Sequence, residues 1–503
     1  MKRRDFIRTG GAALAGIALL PQISCNSMGN VPSDVAGMLH HFGVTENDLR
    51  KVIAVALEKG GDYADLFFEH TLSNNIALQD GAVNRAGSDI QYGVGIRVVA
   101  GEQTGYAYVE NVSLNEMINA ARTASRIASG SAKTPPVNVD VQTFKNYYPV
   151  INSWEDVSIQ SKMPYLQKLN DRIFALDPRV IKVNAGFNDS TSYILYYNSE
   201  GSLCHDYRPM VVVRAQCIMQ DGDKIENNGS SRAGRRDFSF LNDELIEEIA
   251  QESVECTSIL FKAVKPKGGE MPVVMAAGGS GILLHEAIGH AFEADFNRKN
   301  TSIFSDKLNT KICDEHINVV DEGTIEGDRG SINFDDEGVE SQKTYIVKDG
   351  VLNSYLHDRI SAKYYGVAPT GNGRRESFKC IPMPRMRITY MENGNHSEAD
   401  IIASVKRGVY LDKFTNGQVQ IGAGDFTFFV KNGYLIENGK LTQPIKDINV
   451  IGNGPKALAD VTMVGNNLKI DAGAWTCGKG GQGAPVAQGL PSVLVKQLTV
   501  GGE

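Results

Sequence analysis

The chain has 503 residues, 42% of them hydrophobic, with 51 basic against 59 acidic side chains and a formal net charge of −8. That length suits two or three domains with sizeable cores, and the acidic balance excludes a general electrostatic reason to bind nucleic acid. Basic pairs such as Arg235-Arg236 and Arg374-Arg375 are isolated, and beyond the N-terminus no apolar segment reaches membrane-spanning length.

In chain order, Lys2-Arg3-Arg4-Asp5-Phe6-Ile7-Arg8 is a twin-arginine pattern ahead of a modest apolar run from Gly10 to Leu20, which predicts an export signal over residues 1–25. Ile23-Ser24-Cys25 resembles a loose lipoprotein box with Cys25 as the lipid attachment site; simple signal-peptidase cleavage nearby is the alternative. The expected location is outside the cytoplasm, either periplasmic or as a membrane-anchored bacterial lipoprotein that touches the membrane only through its lipid. Residues 26–45, with Pro32, Ser33 and Gly37, read as a mobile tether.

Leu49 to Leu57 reads as an amphipathic helix. Asp65 to Glu69 and Asn75 to Leu78 read as strands, with Asp80-Gly81 as a hairpin turn. Strands over Tyr92 to Val99 and Gly105 to Val109 lead to a helix from about Ser113 to Ser129, where Ser113 and Glu116 have capping-box spacing. Ser131 to Pro136 has linker composition. A helix is expected over Ile159 to Leu176, then strands over Val180 to Phe187, Thr191 to Tyr197 and Pro209 to Met219, and a helix from Leu241 to Phe261. Lys265 to Gly269 marks a second boundary.

Beyond it, short strands separated by turns such as Lys348-Asp349-Gly350 and Glu437-Asn438-Gly439 suggest a mostly antiparallel β domain. The expected fold class is α+β, with an N-terminal α/β domain (46–134), a central α/β region (135–265) and a β-rich C-terminal domain (266–503) carrying one metal-binding helix. The acidic run Asp321 to Glu340 matches no calcium loop and is expected to form solvated hairpins. Gly278-Gly279-Ser280-Gly281 lacks the lysine of a phosphate loop, and reads as a tight entry into the helix that follows.

That helix carries His285-Glu286-Ala287-Ile288-Gly289-His290. Two imidazoles beside a carboxylate look like half of a metal site, since histidine ligates zinc and the carboxylate can take a proton from water acidified by the metal. In the familiar H-E-x-x-H helix the histidines lie at i and i+4. Here the interval is i+5, which in a regular α-helix sets the rings roughly 140° apart. A π-bulge would bring them together, and Gly289 is where the helix deforms most easily. A third ligand must come from elsewhere. Cys477, followed by Gly478-Lys479-Gly480-Gly481, is the best-placed candidate, with Lys479 expected to favour its thiolate; a surface loop with an ordinary thiol is the competing reading.

The H-E-x-x-x-H run resembles the TldD/PmbA family of metallopeptidases in its TldD-like catalytic branch. So do Asp295 to Lys299, Asp335-Asp336-Glu337-Gly338, Gly371 to Ser377, Tyr434 to Gly439, Ile451 to Pro455 and Thr476-Cys477-Gly478-Lys479, in the family's order from about Asp62 onward. The resemblance implies one zinc per chain held by His285, His290 and Cys477, with Glu286 as general base. The implied activity is hydrolysis of short or unfolded peptides. It also implies a dimer, either of identical chains or with a related non-catalytic chain. Arg374 and Arg375 are candidates to bind substrate, with a structural salt bridge as the other reading. A non-catalytic metal- or peptide-binding partner module is the alternative function, and Glu286 argues against it because binding alone needs no base.

Overall fold

A computed structural model describes residues 32, 34–133 and 138–502. The predicted signal and Cys25 lie outside these residues.

The N-terminal half is built on one large sheet. Its strands run in the order Gln103–Val109, Ala82–Ala100, Tyr63–Gln79, Val180–Asn198 and Ser202–Asp221, and Lys224–Gly234 and the short Asp140–Val141 both pair with the last of these. Asp80 and Gly81 take the turn between the first two long strands with positive φ angles of 52° and 77°, as a type I′ hairpin requires. Tyr63–Gln79 pairs with Val180–Asn198 from Asp65 to Gln79, so the sheet continues across the expected boundary near residue 135. The pairs of shorter strands expected on either side of polar stretches such as Asn188 to Ser190 are single long strands. Ladder pairing carries the backbone through side chains whose propensity alone would break it.

Along these strands alternate residues face opposite ways. Leu66, Phe68, Leu195 and Tyr197 meet the helices Glu46–Ala56 and Leu114–Ser125, while Ile76, Val183, Phe187 and Val213 meet Ile159–Leu176 and Asp243–Ser258. Phe67, Ile194 and Tyr196 point to the other side and pack against Phe334 and Phe378 of the C-terminal domain. Tyr63 to Glu69 is therefore buried on both faces.

Two local expectations need correction. Residues 34–43 of the expected tether form a docked helix, Val35–Phe42, with Asp34 accepting from the Gly37 N–H and Gly43 closing it at φ 66°. Val35, Met38 and Phe42 are buried; their i, i+3, i+7 spacing makes an apolar stripe that Pro32 and Gly37 obscured. The capping box at Ser113 is absent: Ser113 occupies the N-cap of Leu114–Ser125 without a side-chain hydrogen bond.

The C-terminal domain holds two six-stranded sheets. One runs Lys440–Asn453, Asp425–Glu437, Arg407–Gln420, Gly269–Met275, Val493–Gly501 and Val461–Val464, and pairing of Asn449 to Ile451 with Thr499 to Gly501 closes it on itself. The other centres on Val319–Glu322, Ile388–Met391 and Ala487–Leu490. Most pairings are antiparallel; Arg407–Gln420 with Gly269–Met275 and Ile388–Met391 with Ala487–Leu490 are parallel. The core between the sheets encloses Ile282, Leu283, Leu284, Ala287, Ile288 and Ala291, so the histidine-bearing helix runs through the middle of the domain.

The acidic run is not solvated. Asp321, Asp335, Asp336 and Glu337 are all buried. Glu337 accepts from Arg97 Nη1 at 2.5 Å, and Arg97 also pairs with Asp65, its cross-strand neighbour. Asp336 accepts from Arg208 Nη1 at 2.6 Å and from the Arg375 N–H at 2.9 Å. These carboxylates join the sheet to the C-terminal domain, and paired charges can be buried where unpaired ones cannot. Among the described residues no helix is long and apolar enough to cross a membrane.

Candidate metal centre

Strand Gly269–Met275 hands the chain to the buried helix through Gly278, whose φ is 100°, and Gly281, where a Cβ would meet the Gly489 backbone N at 2.7 Å. The glycine loop is therefore a tight entry that lets strand and helix touch. After one α turn, Ile282–Leu284, the backbone widens into a π turn over His285–Gly289, and the His290 N–H donates to the His285 carbonyl. This is the i→i+5 bond that the histidine spacing requires. A Cβ on Gly289 would meet Met386 Sδ at 2.2 Å, and one on Gly454 would meet the Ala287 carbonyl at 1.8 Å. Two glycines thus make room for the wider turn.

The result is a compact donor set. The rings of His285 and His290 lie 5.1 Å apart at 83°. Cys477, on the hairpin strand Thr476–Lys479, brings its Sγ to 3.3 Å from His290 Nε2. One ligand atom from each of the three residues lies within 4.8 Å of the others, and all three side chains are buried. Among the described residues neither ring nitrogen of His285 has a hydrogen-bond partner of normal geometry, and the ring's near neighbour is the Cys477 thiol. Leaving them buried is costly, and a divalent ion shared with a thiolate and a second imidazole would take up one of the two, since nitrogen and sulfur are the donors zinc prefers. The residues present fit the metal.

Electrostatics favour a ligand-ready cysteine. Burial alone would push the Cys477 thiol up, but the imidazoles of His285 and His290 outweigh it and bring it down to about 4. Lys479, expected to be the cause, is engaged elsewhere: its ammonium contacts Glu293 Oε2 at 3.1 Å and Asp295 Oδ1 at 2.7 Å and lies 4.3 Å above the Phe296 ring. Glu293 in turn holds His290 Nδ1 at 2.9 Å, which leaves Nε2 for the metal and fixes the ring. Despite full burial, Glu293 is held down to about 2 by Lys479 and His290. The His290-x-x-Glu293 spacing was the available sequence signal for this carboxylate.

Glu286 sits half-buried beside the triad. Burial raises its carboxyl above the ordinary range, against the pull of His285 and His290. Gly417 clears space for it, because a Cβ there would come within 3.1 Å of Glu286 Cγ.

Arg374 and Arg375 are not at the triad. Arg374 donates to the Met386 carbonyl at 2.5 Å and the Pro485 carbonyl at 2.6 Å. Arg375 donates to the Asp336 carbonyl at 2.8 Å and lies 3.7 Å from Asp65 Oδ1. Both line a separate cavity that Thr476, Gly483 and Pro485 of the Cys477 hairpin also line and Cys477 does not.

The comparisons place the chain in a family. The PmbA/TldA metallopeptidase C-terminal domain matches residues 268–502, the family's central domain matches 152–260 and its domain 1 matches 64–128. The metalloprotease TldD homolog of Haemophilus influenzae is 37% identical over 473 residues, 92% of this chain and 98% of that protein. The chain belongs to the PmbA/TldD metallopeptidase family. Another relative, the zinc metalloprotease TldD homolog of Saccharolobus solfataricus, is 27% identical over 455 residues, 90% of this chain and 99% of that one. Among solved structures, TldE from Thermococcus kodakarensis superposes with a TM-score of 0.69 at 18% identity, covering 90% of this chain and all of that one. A Thermotoga maritima protein provisionally described as a modulator of a DNA gyrase does so with 0.74 at 22%, covering 91% and all. At these identities the likeness is one of fold.

Proposed function

We propose that this PmbA/TldD family member is a zinc-dependent peptidase that hydrolyses short or unfolded peptides, with one zinc per chain held by His285, His290 and Cys477. The observation that carries the reading is the pair of buried His285 nitrogens without a hydrogen bond of normal geometry, beside a thiolate and a second imidazole. When bound there, zinc would supply Lewis acidity toward water and a peptide carbonyl. Glu286 takes the proton of the attacking water onto a carboxylate oxygen and passes it to the departing amine. Its burial keeps that oxygen basic enough for the first transfer. Glu293 and Lys479 hold His290 in orientation through both steps.

The centre lies within a packed domain, which supports extended rather than folded substrates. The TldE likeness supports pairing with a related chain; a homodimer is the other arrangement. For location we propose twin-arginine export with Cys25 lipidated, residues 26–33 linking the lipid to the docked helix Val35–Phe42. Cell fractionation tests it: Cys25→Ala should release the protein from membranes and Arg3→Lys with Arg4→Lys should strand it in the cytoplasm, whereas a soluble cytoplasmic parent chain overturns it.

Metal analysis of the purified chain, with turnover of an unstructured peptide before and after chelation, tests the peptidase reading. One zinc per chain and chelator-sensitive cleavage are expected. A metal-free chain that cleaves, or a zinc-loaded chain with Glu286→Ala as active as its parent, overturns the reading.

A further inference from the structure

The cavity beside the Cys477 hairpin has a volume of about 310 Å³. Thr476, Gly483 and Pro485 form its hairpin wall, and Ser190 and Ser192 of the long sheet face them. Arg235, Arg329 and Arg374 enter it from three separate segments. Among the described residues none of the three forms an ion pair. Each is instead fixed by neutral acceptors. Arg235 Nε donates to the Ser331 carbonyl at 2.5 Å, and Arg329 donates to the Trp475 carbonyl at 3.0 Å and to Thr476 Oγ1 at 3.2 Å. Arg374 is held by the two carbonyls already described.

The carboxylates on the wall are committed elsewhere. Asp336 answers Arg208 and the Arg375 N–H, Glu376 accepts from the Gly483 N–H at 2.8 Å, and Glu69 accepts from the Phe378 N–H at 2.7 Å. Asp328, next to Arg329, accepts from the Gly330 N–H. Arg235 and Arg374 are buried. Unneutralised guanidiniums converging on one cavity are costly to bury, and rigidly held planar donors are what a carboxylate is recognised by. Burial and the neighbouring positive charge of Arg235 lower Arg329 to about 10, a field that an incoming anion relieves.

We propose that this cavity binds a carboxylate of the peptide substrate, on the opposite face of the hairpin from the metal triad. The inference rests on the peptidase reading and deepens it. Cys477 and Thr476 are consecutive on one strand and so face opposite ways. The two sites are then separated by about one sheet thickness, roughly 10 Å. A peptide passing the hairpin's edge in extended form covers that with about three residues. The carboxylate is either the peptide's C-terminus or an acidic side chain.

Direct binding decides it without turnover. Three fluorescent peptides of neutral composition are titrated against the full chain: the free acid, the C-terminal amide, and the amide with one glutamate three residues from the end. At least tenfold tighter binding of a carboxylate-bearing form is expected, as for charge-assisted hydrogen bonds; which form gains identifies the source. Arg329→Gln, at a half-buried position, should abolish the difference between the carboxylate-bearing and neutral peptides, and Arg329→Lys should restore part of it. Equal affinity of all three peptides for the parent chain, or an unchanged preference in Arg329→Gln, overturns the proposal. So does inorganic phosphate binding more tightly than the free acid. Should no peptide be cleaved while the preference persists, the peptidase reading fails and the carboxylate site stands.

Discussion

Two of the buried polar clusters among the described residues are built differently. Where the long sheet meets the C-terminal domain, Arg97 answers Asp65 and Glu337, and Arg208 answers Asp206 and Asp336. At the histidine pair, by contrast, both ring nitrogens of His285 and one oxygen of Glu293 lack a hydrogen-bond partner of normal geometry. At the interface Asp65 Oδ1 and Arg375 Nε also lack hydrogen bonds, but each belongs to a side chain that an opposite charge answers. The imidazole of His285 is answered by no carboxylate among the described residues, and that difference separates the architectural cluster from the candidate site.

The contrast can be broken at either end. The largest effect is expected from Glu286→Gln, which should lower kcat by about 10²–10⁴ with zinc content retained, as for loss of a general base; parallel metal analysis and single-turnover cleavage check it. Next is Arg97→Met. Removing one member of a buried pair costs about 3–5 kcal/mol, so denaturant unfolding should show that loss while the zinc content of the remaining folded protein is unchanged. Combining it with Glu337→Gln should recover part of the stability, because Asp65 then still answers Arg375 and the carboxylate at 337 is no longer an unanswered charge. Glu293→Gln should act on the other cluster alone, weakening zinc by about 10–100-fold through a loosened His290, read by competition with a chelator.

The smallest effect concerns the N-terminal helix. His41 Nε2 lies 2.8 Å from His70 Nδ1 and stacks on Tyr193, and burial, then the neighbouring His70 and His40, lowers it from 6.5 to about 4. In this window the unfolded chain binds more protons, so the contribution is complete above about pH 6.5 and lost as the pH falls toward 4. At this half-exposed site screening keeps it to about 1 kcal/mol or less. Protection factors of the amides over residues 35–42, which correct exchange for its intrinsic pH dependence, should fall at pH 5 relative to pH 7 in the parent chain and not in His41→Phe.

The candidate metal centre was legible where its chemistry was local. The five-residue interval between His285 and His290 demanded a π turn, and the turn is there. Glu293 was legible in principle from its i+3 position. The interface was not, because Arg97 and Glu337 are 240 residues apart and an acidic run by itself looks solvated. Helix Val35–Phe42 was hidden by its small and turn-forming neighbours, and strand Lys224–Gly234 by its polar composition; both are held by packing and ladder bonds that composition does not encode. Lys479 shows the same limit at close range, since its acidic partners Glu293 and Asp295, not the adjacent cysteine, fix its place.

Cys477 and His290 touch across 187 residues of chain. A nascent polypeptide leaves the ribosome in sequence order and folds domain by domain, so the two histidines emerge long before the third donor exists. The core that shapes the π turn draws on strands as late as Val493–Gly501, so neither imidazole is positioned until the whole C-terminal domain has folded. On the proposed reading the ion would then meet all three donors at once, and the sulfur would discriminate among ions that two imidazoles alone would accept.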